Sequence, residues 1–350
     1  MDDEVIGGVD THSAVHCVAA LDARGRLVGV AEFPASGAGY CQLLSWMRGH
    51  GTVVSVGVEG TGAYGAGLAR YLHAQKIVVI EVPRPERRLR RAVGKSDPID
   101  AEAAARAVFA GTARVAPKFA DGRIEAIRAL RVARAGAIKA KTAAVNSLKA
   151  LLVTAPEPLR AILQNHRSAI RLVAACLRLR ADARRLGDPV QATKLALHSV
   201  AARVRALSRE ITQLDAQLRP LILEAAPSTI GTFALGTDTA GALLVTIGDN
   251  PGRLRSEAAF ARLCGVAPIP ASSGKTQRHR LHRGGNRDAN RALHIAVVVR
   301  MRYCPRTRAY VARRTQQGLS KPEIIRCLKR YLAREVFRAL RADYAAPGAT

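Results

Sequence analysis

The chain has 350 residues, 48% apolar and 4% aromatic, enough to bury a full core and to fold as two or three units, with little scope for base stacking on exposed rings. Its 55 basic residues face 27 acidic ones, and a formal charge of +28 calls for an abundant polyanion, nucleic acid before an anionic membrane. No apolar run reaches the roughly 18 residues of a membrane span, and the start MDDEV is acidic where a signal peptide is basic, so no membrane partner and a cytoplasmic location are expected. Only 10 of the basic residues are lysine; arginine forks onto phosphates, and a GC-rich genome favours its codons equally well. Six scattered cysteines without a C-x-x-C pair argue against a zinc module or a disulfide framework and for a reduced, intracellular setting.

The N-terminal stretch alternates in the manner of strands. EVIGGVD reads as a short buried strand ending in Asp10, and AVHCVAALD and LVGVAEF form a hairpin pair across the turn ARGR. A helix, YCQLLSWMRGH, leads to the apolar run TVVSVGVEG, which ends in Glu59. A second helix, GAGLARYLHAQ, leads to the strand IVVIEVP. Three antiparallel strands followed by strands alternating with helices is the order of a ribonuclease-H-like α/β domain. Beyond the basic run RPERRLRRAVGK, with Arg84, Arg87 and Arg88 as phosphate contacts, Asp97 is the expected N-cap of a helix with Pro98 at its first position. Asp97 and Asp100, three apart, then share a face.

From about residue 121 to 226 the pattern is helical. Leu197, Val204, Ile211, Leu218 and Ala225, with Val200, Leu207, Leu214 and Leu221, keep heptad spacing, which fits a coiled coil between subunits or a long hairpin within one. Pro220 is expected to kink or end this helix early. After Pro227 comes a glycine-punctuated helix–turn–helix-like unit, then EAAFARLCGVAP, the loop IPASSGKTQRHRLHRGGNRDAN, and the helices RALHIAVVVRMRY and KPEIIRCLKRYLAREVFRALRA. Between Arg253 and Arg341 there are 22 Lys/Arg against four acids, so the surplus charge is concentrated there. The expected organisation is an α/β domain over 1–115, a helical and coiled-coil region over 116–226, and a mostly helical domain over 227–345.

Asp10 and Glu59 end buried strands, and Asp97 and Asp100 open a helix. In open α/β sheets the crevice beyond the strand ends collects ligands. Four carboxylates sharing it stay ionised only with cations between them, and hard oxygen donors facing phosphate suit Mg²⁺, two ions of which can clamp a phosphodiester. Each acid taken alone is more readily a turn, cap or first-turn residue than a ligand.

Three blocks of this chain, GVDTHS, VEGTGAYG and KSDPIDAEAAARA, resemble those of the DEDD transposases, the insertion-sequence recombinases that include the Piv pilin-gene invertase. FARLCGVAPIPASSGK, RGGNRDANRALHIA and RCLKRYLAREVFRAL resemble the same family's C-terminal signature. The resemblance implies a RuvC-like N-terminal domain whose Mg²⁺ ligands fall on Asp10, Glu59, Asp97 and Asp100. It also implies a C-terminal transposase domain with a nucleophilic serine, on Ser273 or the adjacent Ser272. Further implied are DNA donor and target substrates at the bacterial nucleoid, strand exchange through a covalent serine–DNA intermediate, and a structured bridge RNA as guide. Relatives usually carry Pro-Gly-x-Gly in the turn before this domain; here FALGTDTAG keeps Gly236 but has Ala234 at the first glycine.

Taken without the resemblance, SSGKT is a basic loop: the Walker pattern fails at Ile269, where a glycine is required. No acid adjoins Ser273, so its activation falls to Mg²⁺, with Lys275 and Arg278 stabilising phosphorane charge. Arg280, Arg283, Arg287 and Arg291 continue the nucleic-acid-contacting series, and His279 and His282 read as phosphate or loop residues. The family also implies serine and carboxylates from different protomers, giving the helical region a role in a homodimer or tetramer. The rival functions are a RuvC-like endonuclease hydrolysing without the serine and a non-catalytic basic scaffold. An actin-like ATPase is disfavoured by the lack of a second glycine-rich phosphate hairpin.

Overall fold

The computed structural model describes residues 3–83, 96–118, 120, 122–166, 168–249, 252, 254–274, 279–280 and 282–346. They form two compact units: residues 1–125 with 225–350, and Ala126–Glu224.

The first unit begins with a five-stranded sheet: β1 (Glu4–Thr11), β2 (Val15–Leu21), β3 (Leu27–Pro34), β4 (Thr52–Glu59) and β5 (Val78–Val82). The spatial order is β3-β2-β1-β4-β5, with β1–β2 and β2–β3 antiparallel and β1–β4 and β4–β5 parallel. This mixed sheet is compatible with a ribonuclease-H-like domain. The β2–β3 turn is held by Asp22, whose carboxylate accepts from the Arg24 and Arg26 amides and the Arg26 guanidinium, with Gly25 at φ +75°.

Strand alternation sends side chains to two faces. On one, Val9, Val18, Val56, Val58 and Val79 pack against Leu43, Leu44 and Met47 of α1 (Gly37–Arg48) and Leu68 and Leu72 of α2 (Ala66–Ala74). The other face is covered by α3 (Asp97–Phe109), whose Ala101 packs with Cys17 and Ala19 and whose Ala104 and Val108 pack with Val82. Glycine lets this helix approach closely. A Cβ on Gly8 would overlap the backbone of Ala101 and Ala105, and one on Gly57 would lie 2.9 Å from the Ala104 carbonyl and 2.7 Å from Val108 Cγ2.

In the second unit two long helices, α4 (Arg123–Val153) and α7 (Pro189–Ala225), flank two short ones, α5 (Glu157–Leu163) and α6 (Ala169–Cys176). Leu148, Leu163, Leu172, Cys176, Leu197 and Ala201 form its core, and Arg134 pairs with Asp215 between the long helices. The helix does not end early at Pro220, as expected, but continues to Ala225. Pro220 is exposed and lies in the last two turns of the helix, where it removes one backbone hydrogen bond and crowds the carbonyl four residues back without ending the helix. Every heptad position is buried or half-buried.

The rest of the first unit is helical: α8 (Pro227–Gly231), α9 (Thr237–Ile247), α10 (Glu257–Leu263), α11 (Arg287–Tyr303), α12 (Pro305–Gln316) and α13 (Lys321–Ala345). The basic run after Tyr303 is a separate helix, opened by Pro305. Buried Asp343 of α13 caps α8, accepting from the Ser228 and Thr229 amides and the Thr229 hydroxyl at 2.6–2.9 Å. The loop after α10 contains a two-residue antiparallel pair, β6 (Ile269–Pro270) with β7 (His279–Arg280).

Candidate active site

Asp10 and Gly8 lie two apart on β1, and Glu59 and Gly57 two apart on β4. Since α3 packs over both glycines, both acids belong to the face it covers. Thr11 Oγ1 donates to the Glu59 carbonyl at 3.0 Å, tying the two strand ends together just past their last paired residues, Val9 and Val58. The N-cap of α3 falls on Ser96 in extended conformation rather than on Asp97, because Asp97 already has helical geometry; Asp97 and Asp100 occupy its first turn.

Asp10, Glu59 and Asp100 are buried, at 7%, 4% and 4% exposure, whereas the Asp97 side chain is 46% exposed. So of the two acids that share a helix turn, one faces the sheet and the other opens to solvent. His12 bridges the strand and helix acids: its Nε2 lies 3.2 Å from Asp10 Oδ2 and 3.3 Å from Asp97 Oδ1. One donor atom from each of the three falls within 4.8 Å of the others. Next to them, burial first, and then the negative charges of Glu32, Asp97 and Asp10, push the Cys17 thiol up to about 11, so it stays protonated. Across the sheet His16 is fully buried and stacks on Tyr40 at 5.7 Å, and burial lowers its pKa.

The donor set fits a divalent cation. Three buried carboxylates and a half-exposed fourth lie at one end of one sheet face, and Asp10, His12 and Asp97 already converge. His12 was not singled out from sequence, although it lies in the quoted GVDTHS. The strand period that puts it on the face of Asp10 was the available signal.

Ser272 and Ser273 are both exposed, between β6 and Gly274, which has φ +55°. What anchors their loop lies further back. Gly285 leaves no room for a Cβ against Gly265, and the Asn286 amide donates to the Leu263 carbonyl at 2.7 Å. Asn290 Nδ2 donates to the carbonyls of Cys264 and Gly265, and its Oδ1 accepts from Lys329 Nζ at 2.9 Å. Lys329 is 7% exposed, and burial, then Arg326, depress its pKa. Asn290 and Lys329 thus join all three C-terminal blocks, a link that no local spacing displays.

Arg280, Arg283, Arg287 and Arg291 are exposed, and Arg291 lies 3.8 Å from Asp288. Lys275, Arg278, Arg84, Arg87 and Arg88 lie outside the described residues. Each of the four acids between Arg253 and Arg341 pairs with arginine: Glu257 with Arg330 and Arg334, Asp288 with Arg291, Glu323 with Arg326, and Glu335 with Arg300. Hydrogen bonding from Arg330 is the main cause that lowers the Glu257 pKa. The turn before α9 survives the loss of glycine: Ala234 takes φ +71°, and the Leu235 amide donates to the Thr232 carbonyl. No helix among the described residues is long and apolar enough to cross a membrane.

Residues 7–155 match the family model of DEDD transposases of the IS110 type, described as "Transposase". Residues 232–312 match the model "Transposase IS116/IS110/IS902 family". The chain is also similar to the "Insertion element IS110 uncharacterized 43.6 kDa protein" of Streptomyces coelicolor, 34% identical over 148 residues, which is 41% of this chain and 36% of that protein. The chain thus spans about a third of the length of the curated relative it matches. One model covers the carboxylate-bearing sheet and α3, the other the helical unit that carries Ser273, in the order the fold displays them. The chain therefore belongs to the IS110 family of DEDD transposases.

Proposed function

We propose that this protein is an insertion-sequence transposase that exchanges DNA strands through a covalent serine–DNA intermediate. The observation that carries the reading is the convergence of Asp10 and Asp97, from a strand end and a helix start, on the face that also holds buried Glu59 and Asp100. Mg²⁺ held by these four carboxylates, as two ions in a composite site, would supply Lewis-acid polarisation of the phosphodiester. The Ser273 oxygen attacks phosphorus, its proton passes to solvent, and the bond from phosphorus to the leaving deoxyribose oxygen breaks. A hydroxyl of the new partner strand then displaces Ser273. Lys275 and Arg278 neutralise charge on the phosphoryl group, while Arg280, Arg283, Arg287 and Arg291, with Arg84, Arg87 and Arg88, hold nucleic acid by its backbone.

Donor and target DNA are brought together by a structured bridge RNA, whose phosphates match the uncompensated arginines of the C-terminal half. A homodimer or tetramer assembles through the helical region, so that the serine of one subunit serves the carboxylates of another. Exposed Val132, Val153, Ile162 and Ile170 in that unit give such an assembly apolar surface to bury.

The test is incubation of the protein with Mg²⁺, its flanking DNA and the RNA transcribed beside the gene. A protein–DNA adduct that survives denaturation is expected, lost in Ser273→Ala and in Asp100→Ala. Strand joining by Ser273→Ala at the normal rate, with no adduct, would establish the serine-free endonuclease instead. Nucleic-acid binding with no adduct or joined product, unchanged in Asp100→Ala, would establish the binding scaffold.

A further inference from the structure

We propose that His12 is a nitrogen ligand of the cation held by Asp10 and Asp97, and that through it the site favours Mn²⁺ over Mg²⁺. The inference rests on the metal-dependent reading above and adds a residue outside the four carboxylates.

His12 is the first residue past β1, and the strand period puts it on the side of Asp10. The chain turns back immediately, the His12 amide donating to the Val15 carbonyl at 3.2 Å, which keeps the ring over the strand end. Its Nε2 stands 3.2 Å from one carboxylate oxygen of Asp10 and 3.3 Å from one of Asp97. Neighbouring ligands of an octahedral ion at about 2.1 Å are separated by about 3 Å, so His12 stands at ligand spacing from each acid, and the three donor atoms all lie within 4.8 Å of one another. The side chain is 49% exposed, so nothing in the core requires an imidazole there. By contrast, His16, four residues on, is buried against Tyr40 on the opposite face and cannot substitute.

The donor type sets the selectivity. Mg²⁺ takes oxygen ligands and dehydrates reluctantly, so an imidazole contributes little to holding it. Mn²⁺ shares the octahedral oxygen preference of Mg²⁺ but, as the weakest member of the transition-metal affinity order, still gains some affinity from a nitrogen donor. Asp10, Asp97 and His12 together should therefore bind Mn²⁺ more tightly than oxygen donors alone would.

The experiment uses the full chain and Mn²⁺ alone. Electron spin-echo envelope modulation should show a directly bound nitrogen, absent in His12→Ala and His12→Gln. Titration followed by the free-Mn²⁺ resonance should show Mn²⁺ affinity falling about tenfold or more in both variants, while Mg²⁺, measured by competition, falls less than about threefold. Because His12 is half-exposed, both variants should melt with the parent, which separates ligand loss from misfolding. Asp10→Asn and Asp97→Asn complete the set. If Mn²⁺ binding depends on both acids but shows no nitrogen and no response to His12, the carboxylate centre stands and the His12 assignment is overturned. A nitrogen signal that persists in His12→Ala also overturns it. If binding ignores Asp10 and Asp97, the centre itself fails, and His12 with it.

Discussion

At single residues the backbone of this protein tolerates one conformation that its side chain resists. Ala234 has φ +71° in the turn before α9, where an L side chain crowds the following carbonyl at a cost of about 1–2 kcal/mol. Glycine adopts that conformation freely but loses more entropy on folding, about 0.5–1 kcal/mol. The balance predicts that Ala234→Gly stabilises the protein by up to about 1 kcal/mol, to be read as a shift of the denaturation midpoint at unchanged slope. A loss of stability would mean that the turn has another geometry in solution. A different residue-scale economy operates at the acids. Asp97 and Asp100 share one helix turn, yet one is half-exposed and the other buried, so they stand at different depths in the proposed centre.

Among the elements, α3 is the one on which the proposed site depends. It delivers two of the four carboxylates, and its distance from the sheet is set by glycines at the contact. Gly8→Ala puts a methyl group into the backbone of Ala101 and Ala105, which no rotamer change can relieve. The helix must lift, carrying Asp97 and Asp100 away from Asp10. We expect a loss of about 1–3 kcal/mol in stability and, in the surviving folded fraction, a larger loss of divalent-cation affinity than stability alone explains. Denaturation and cation titration of the same sample separate the two, and unaltered cation affinity would show that α3 does not set the geometry. The helix α7 teaches the opposite lesson. Of its heptad residues Leu197 lies in the core of the helical unit with Val200 packed against it, while Leu207, Ile211, Leu214 and Leu221 are only half-buried, so part of the repeat serves packing within the chain.

For the whole molecule the governing quantity is charge. The four acids between Arg253 and Arg341 are each matched by arginine, which leaves most of the 22 basic residues of that stretch to seek an external anion. Affinity for duplex DNA should fall steeply with salt, with log K declining by about 0.9 per phosphate neutralised. Filter binding or fluorescence anisotropy across a salt series measures this slope. A flat response would remove the case for phosphate as the compensating anion.

The strands, the helices and their order were legible because period-two and heptad patterns are local properties of a chain, as are turn residues such as those around Asp22. The placement of Asp10 and Glu59 at strand ends was legible for the same reason. Which side chains meet was not. His12 joins Asp97 across 85 positions, Asn290 joins Lys329, and Asp343 caps a helix more than 100 residues earlier. None of these pairings leaves a mark on nearby spacing, since each is made only when distant segments are packed at fixed distance. The residue types and their periodicity were thus settled by the sequence itself, while the partners of the buried polar groups were decided by tertiary packing, which alone determines what a desolvated donor or acceptor can reach.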